Sequence, residues 1–399
     1  MRKIIILIIV ALTIGTAGLT IGIKKIREEN ERIDREAVKL KENRQVEFGQ
    51  KAKVSDFIEN LKGTLLNDAT VDTNRIGKCE VSFDFLNIKN KYKKATFSIE
   101  IIDTVPPQIF CENSYTVNVG FKKKLTDILL SGDNIDDTPI RKIEGEYDTN
   151  TVGNYNLAYV VTDASGNETR RDFILHVVEK QSQKESKRDS IRIENIIAEY
   201  KNNNTKIGID VSRWQGDIDW KKVKKAGVEF AILRVGYQKD YDNRNYEVDS
   251  FFIKNIEGAT KEEIPIGIYF YSYAKSIEEA NEQAEWVRNQ IRNYKIDLPI
   301  AFDWESWNSF NTTNMSFYKI NKVADTFLNR LEEYGYRGML YGSKNYLEKI
   351  WYPTKYKTWL AHYTDKTSYK SEYLIWQMCD TGRVEGINGA VDIDIMYIS

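Results

Sequence analysis

Asp303 and Glu305 stand two apart in Ile300-Ala-Phe-Asp-Trp-Glu, and Asp392 and Asp394 repeat the spacing in Val391-Asp-Ile-Asp. On an extended strand that spacing puts both carboxylates on one face, with Trp304 opposite the first pair. Asp210 closes a third apolar run, Ile207-Gly-Ile-Asp. Acids gathered in this way suit glycoside hydrolysis. The reaction needs a protonated carboxyl to give a proton to the leaving oxygen, and negative charge beside an oxocarbenium-like centre. Crowded carboxylates raise one another's pKa, so one can hold its proton while another stays ionised. Taken singly, each acid would more simply cap a helix or line a solvated rim, and a divalent-cation site is the other use of such a cluster. Acid catalysis by carboxylates implies no cofactor. The two histidines, His176 and His362, sit in apolar or aromatic runs, which speaks against a histidine triad or a multi-histidine metal site. Cys79, Cys111 and Cys379 match no zinc or iron–sulfur spacing, although the first two could pair. A net charge of −1 over 399 residues gives no electrostatic case for a nucleic-acid partner.

The elements that must position these acids begin at Ile207. From there apolar strand-like runs alternate with helical periodicity to the C-terminus. Examples are Phe230-Ala-Ile-Leu-Arg-Val, Ile266-Gly-Ile-Tyr-Phe-Tyr and the long helical stretch from Met315 to Tyr334. Regular alternation predicts an α/β fold, a TIM-like (β/α) barrel over 207–399 with its active site at the C-terminal ends of the strands. The last strands follow one another with little helix between them, so the symmetry is incomplete there. Tyr237, Tyr269, Tyr271, Tyr363 and Trp376 lie near strand ends and could stack on sugar faces or fill the barrel core. Gln215 and Gln377 could bond sugar hydroxyls or N-acetyl groups.

Upstream the chain changes character. Residues 1–23 carry an uncharged apolar run from Ile4 to Ile23, long enough to span a bilayer, which reads as an uncleaved signal anchor, the alternative being a signal peptide cleaved around Thr16, Ala17 and Gly18 to give a secreted form. Lys24, Lys25 and Arg27 outnumber Arg2 and Lys3, which taken alone would put the bulk of the chain in the cytoplasm; the extracellular look of the downstream modules overrides that reading. Residues 24–50 read as a charged stalk. Asp72-Thr73-Asn74-Arg75-Ile76-Gly77 is echoed by Asp148-Thr149-Asn150-Thr151-Val152-Gly153. Period-two strands follow each copy at one offset, Val81, Phe83 and Phe85 matching Leu157, Tyr159 and Val161. Two small all-β sandwich modules are expected, at 51–103 and 104–179, with 180–206 as a polar linker holding a short helix. The second module, with Asp103-Thr104-Val105-Pro106-Pro107 and Thr162-Asp163-Ala164-Ser165-Gly166-Asn167, resembles bacterial immunoglobulin-like domains of surface proteins. Such modules serve as spacers or as contacts to wall or cell-envelope proteins.

The C-terminal half resembles glycoside hydrolase family 25. Asp210-Val-Ser-Arg-Trp-Gln-Gly looks like the opening block of that family. Pro265-Ile-Gly-Ile-Tyr-Phe-Tyr-Ser-Tyr, Leu298-Pro-Ile-Ala-Phe-Asp-Trp-Glu, Trp359-Leu-Ala-His-Tyr, Trp376-Gln-Met and Val391-Asp-Ile-Asp follow in the family's order. The resemblance implies a lysozyme that cleaves the β-1,4 bond between N-acetylmuramic acid and N-acetylglucosamine. It implies Glu305 as general acid and Asp303 either as electrostatic partner or as the group orienting the substrate's N-acetyl. Asp210 and Asp392 or Asp394 complete the cluster. His362 and Met378 depart from the residues usual at their positions. The expected partner is the peptidoglycan glycan strand, with the membrane reached through the N-terminal helix. The rival readings are a non-catalytic wall-glycan-binding surface protein and a related glycosidase acting on chitin or another N-acetylated glycan. Retention and inversion stay open, since carboxyl separation decides between them.

Overall fold

The computed structural model describes residues 2–179, 190–240, 243–305 and 313–398, with side chains from residue 19 onward. Two compact units divide it, residues 1–105 and 106–399.

In the first unit helix α1 runs Arg2–Arg35. The apolar stretch expected to anchor the chain lies mostly among residues whose side chains are not described. Among the described residues no helix is long and apolar enough to cross a membrane. The stalk expected over 24–50 ends early. Ala37 and Val46 are buried, and the chain from there joins the first β module. Its four-stranded sheet orders the strands Gln45–Glu47, Tyr92–Ile102, Gly77–Asn87 and Gly63–Leu65.

The second unit opens with a module of the same design. Its sheet orders Ser114–Asn118, Glu168–Val178, Gly153–Thr162 and Ile140–Glu144. The repeat in the sequence is therefore a repeat in the fold, with Val81 opposite Phe97 in one hairpin and Leu157 opposite Phe173 in the other. Asp72 and Asp148 take the same place in both, each accepting the backbone N–H of the residue two positions on. The full sandwich expected of each module is not what forms. In each, one four-stranded sheet forms and the remaining strands pair only as two-stranded ladders. Cys79 and Cys111 are both free thiols, one in each unit, so the pairing considered for them is not made.

Residues 190–206 are not linker. Ile191–Arg192 adds a strand beside the barrel. Helix α2, Ile193–Tyr200, buries Ile193 and Ile196 in the barrel's outer core. The spacing of these apolar residues on one helical face explains the docking. The linker reading of 180–189 lies outside the described residues.

Eight strands then close a barrel: β1 Thr205–Val211, β2 Phe230–Gln238, β3 Ile266–Tyr271, β4 Ile300–Asp303, β5 Gly338–Ser343, β6 Lys357–Ala361, β7 Ile375–Arg383 and β8 Val391–Tyr397. Neighbours from β1 to β7 are parallel. Strand β8 is antiparallel to both β7 and β1. The regular (β/α) barrel expected from the alternation is thus corrected: the loop joining β7 to β8 is too short for a crossover, so the chain turns back. The reversal matters for the site. It brings the start of β8, with Asp392, to the rim where β1 and β4 end. Side chains alternate along each strand as the pleat requires. Phe230 and Ile232 fill the interior, and Ala231 and Leu233 face the helices.

The second module is more than a spacer. Its loop at 131–137 caps the helix that follows β4, α3, Phe317–Glu333. Asp137 accepts from the Ser316 N–H and from Lys319 Nζ, both at 2.9 Å, while the carbonyls of Asp133 and Asn134 accept from the N–H groups of Phe317 and Tyr318. These donors are among those a helix start leaves without intrahelical partners. The Phe317 ring lies against Gly132, where a Cβ would come within 2.5 Å of it, and meets Phe110 at 6.1 Å. Phe317 is 2 % exposed. Replacing Phe317 by Ala should cost the second unit about 3–5 kcal/mol, read by urea unfolding of the full chain. A loss below about 1 kcal/mol would show that module and barrel are held by other contacts.

Candidate active site

The mouth of the barrel is a cleft of about 480 Å³ lined by Asp210, Asp303, Glu305 and Asp392 among its acids. Each arrives from a strand end. Asp210 lies in register with Asp392 across β1 and β8, and Tyr271 lies opposite Asp303 across β3 and β4. Asp394 does not line the cleft. It is fully buried, one step further into the barrel opposite Gly208, and accepts Trp359 Nε1 at 2.8 Å.

Burial sets the electrostatics. Asp210 is held well above the ordinary carboxylate range by desolvation, and the charge of Asp394 adds to it. Asp303 is raised by its burial and by Glu305 beside it. Glu305 is raised by burial, with the Tyr341 hydroxyl pulling the other way. Asp392 is pushed up to about 9 and Asp394 to about 8, again by burial first. Carboxyls so placed hold protons near neutral pH. Among the described residues nothing bonds Asp303 Oδ1, although it is buried.

The hydrogen bonds show what the polar side chains do. Gln377 Nε2 donates to Asp210 Oδ2 at 2.8 Å, and its Oε1 accepts from Tyr341 and Tyr363 at 2.9 and 3.2 Å. Gln377 lines the cleft as expected, but its amide is spent on orienting Asp210. Gln215 is spent too: it accepts the Ser212 N–H and donates to the Ala390 carbonyl, which ties the turn after β1 to the start of β8. Tyr237, Tyr269, Tyr271 and Tyr363 all line the cleft. Trp376 does not. It points outward, packs edge-on against Tyr200 at 5.9 Å and donates to the His362 carbonyl. Trp359 takes the inward place instead, with Tyr341 at 4.6 Å and Tyr269 at 5.9 Å. The sequence reading passed over Tyr341, Trp359, Tyr273, Arg213, Trp214 and Arg234, all in the lining. An inward aromatic on a strand is spelled like a core residue, so only the strand's parity could have marked Tyr341 and Trp359. Arg213 and Trp214 lie inside the motif that Asp210 opens, where neither residue type by itself marks a site.

Residues 209–387 match the family model for glycosyl hydrolases family 25. The chain is 28% identical over 193 residues to a protein described as uncharacterized protein YegX of Escherichia coli K12, covering 47% of this chain and 68% of that one. It is 28% identical over 195 residues to an autolytic lysozyme of Clostridium acetobutylicum, covering 47% of this chain and 54% of that one. A solved family 25 glycosyl hydrolase from Bacillus anthracis aligns with 50% of this chain and 92% of its own, at 23% identity and a TM-score of 0.43.

Proposed function

We propose that the chain is a peptidoglycan hydrolase, a muramidase that cuts the β-1,4 bond from N-acetylmuramic acid to N-acetylglucosamine. The observation that carries this is the convergence of Asp210, Asp303, Glu305 and Asp392 in one tyrosine-lined cleft, the first three within the stretch that matches the glycosyl hydrolase model. Burial raises the carboxyls of Glu305 and Asp303, which favours the proton-bearing form that donation to a glycosidic oxygen requires. Glu305, at the cleft and half-buried, is the general acid. Asp303, with Oδ1 unbonded among the described residues, receives the substrate's N-acetyl N–H. Asp210, oriented by Gln377, and Asp392 line the same cleft beside the reacting centre. The tyrosines at the rim stack on the sugars. The test is product analysis on purified peptidoglycan: new reducing ends must be N-acetylmuramic acid. Reducing-end N-acetylglucosamine, or free peptide without new reducing ends, would refute the reading.

The apolar run at 4–23 serves in this reading as a membrane anchor with the barrel on the outer face, where the wall lies. Its support is the length of the run and the location of the substrate. Fractionation should place the full chain with the membrane and leave the barrel open to protease added to cells from which the wall has been removed. Recovery in the soluble cytoplasmic fraction would rule the anchor out.

A further inference from the structure

The rim of the cleft beside Tyr237 carries a positive charge that the acid chemistry does not use. Three cations stand there, Arg213, Arg234 and Lys239. Two are matched. Arg234 bonds Asp249 at 2.7 Å in a nearly buried pair, and Lys239 bonds Glu247 at 2.8 Å. The third is not. The guanidinium of Arg213 donates to the Tyr237 hydroxyl at 2.5 Å, and no carboxylate among the described residues bonds it. The other oxygen of Glu247 is taken by the Tyr237 O–H at 2.7 Å, so both acidic oxygens behind the ring are engaged.

Arg213 is also held in place. Its guanidinium carbon lies 4.9 Å from the Trp214 ring centre and 4.8 Å from that of Tyr237. Its backbone N–H donates to Asp249, Ser212 Oγ accepts from Trp214 N–H, and Gln215 closes the turn onto Ser212 and Ala390. A long cationic side chain normally loses rotamer freedom when it binds. Here much of that cost is met before a ligand arrives. Trp214 is 73% exposed, an unusual state for so large an apolar ring, and it extends the stacking surface outward from the cleft.

We infer that Arg213 is a specificity residue that binds a carboxylate carried by the glycan strand, so that the cleft selects acidic N-acetylated glycans over neutral ones. The ligand class is an N-acetylhexosamine polymer with carboxylate substituents. In the substrate proposed above the carboxylate belongs either to the lactyl ether or to the attached peptide. A planar guanidinium suits either, because it can meet both carboxylate oxygens at once. Trp214 stacks on the sugar that bears the group. The inference rests on the muramidase reading and goes further by naming what the rim recognises.

The test is binding to the full chain in a Glu305→Gln background, so that no ligand is consumed. Three ligands are compared by calorimetry: a peptide-free muramic-acid glycan with its lactyl carboxylate free, the same glycan with that carboxyl converted to the methylamide, and the glycan bearing its peptides. A preference of about tenfold for a carboxylate-bearing ligand over the methylamide is expected at low salt. It should shrink as salt is raised. Arg213→Gln should bring the ratio close to one, and Arg213→Lys should keep part of it. Preference for the free lactyl glycan assigns the lactyl carboxylate; preference for the peptide-bearing glycan alone assigns the peptide. Equal affinity for all three, or a ratio unchanged by Arg213→Gln, overturns the inference. Failure of the underlying reading is separate: the wild-type chain would then release no muramic-acid reducing ends.

Discussion

Glu305→Gln lowers kcat on purified peptidoglycan by at least about a thousandfold while the chain stays folded. Glutamine keeps the shape of the side chain and its capacity to hydrogen-bond, but has no proton to give. Burial raises the Glu305 carboxyl, so the wild type carries that proton under conditions where a free glutamate would have lost it. Removing a buried ionisable group also removes its desolvation cost, so the variant's thermal stability at neutral pH should equal or exceed that of the wild type. The two readouts together separate catalysis from folding. Loss of lysis with unchanged melting assigns the acid to Glu305. Lysis at the parental rate would move the assignment to another carboxyl of the cluster, with Asp392 the first to examine because it too lines the cleft and is raised.

Much of the site was legible in the sequence because its acids obey a local rule. Asp303 and Glu305 share a strand face by spacing alone, and Asp210 sits where an apolar run ends. The module repeat was legible for the same reason: alternation with period two survives in Val81, Phe83 and Phe85 and in their counterparts. What failed depends on pairing between distant segments. Whether Trp359 or Trp376 faces the interior turns on the parity of two strands, which only their pairing with neighbours fixes. Gln215 and Gln377 read as free amides because their partners, Ala390 and Asp210, lie far along the chain. The reversal of β8 has no signal except the shortness of its approach. Ile193 and Ile196 lay in a stretch too polar to be read as core. The docking of Phe317 on Gly132 joins segments that neither periodicity nor motif connects.

The buried cluster makes a second prediction, on stability rather than rate. Asp392 titrates at about 9 and Asp394 at about 8 in the folded chain, against 3.8 for an ordinary aspartate. A carboxyl raised on folding binds its proton more tightly in the native state. Its contribution is therefore fully present below the unfolded pKa near 4, and is lost as pH climbs through the folded values. Surface carboxyls lowered by partners, such as Asp34 beside Lys93 and Glu144 beside Lys142 and Arg170, act in the opposite sense, but only in the acid range. Between pH 5 and 9 the raised group dominates. The melting temperature of the full chain should fall steadily across that window, with a loss of about 2 kcal/mol or more at the upper end. Asp394→Asn should flatten the slope. An asparagine can still accept the Trp359 indole N–H and cannot ionise, so little is lost at pH 5 and stability is gained at pH 9. A melting temperature level from pH 5 to 9 in the wild type would mean that these carboxyls are solvated or charged in the native state. The proton supply assigned to the cleft would then lose its physical basis, because the burial that raises Asp394 also raises Glu305 and Asp303.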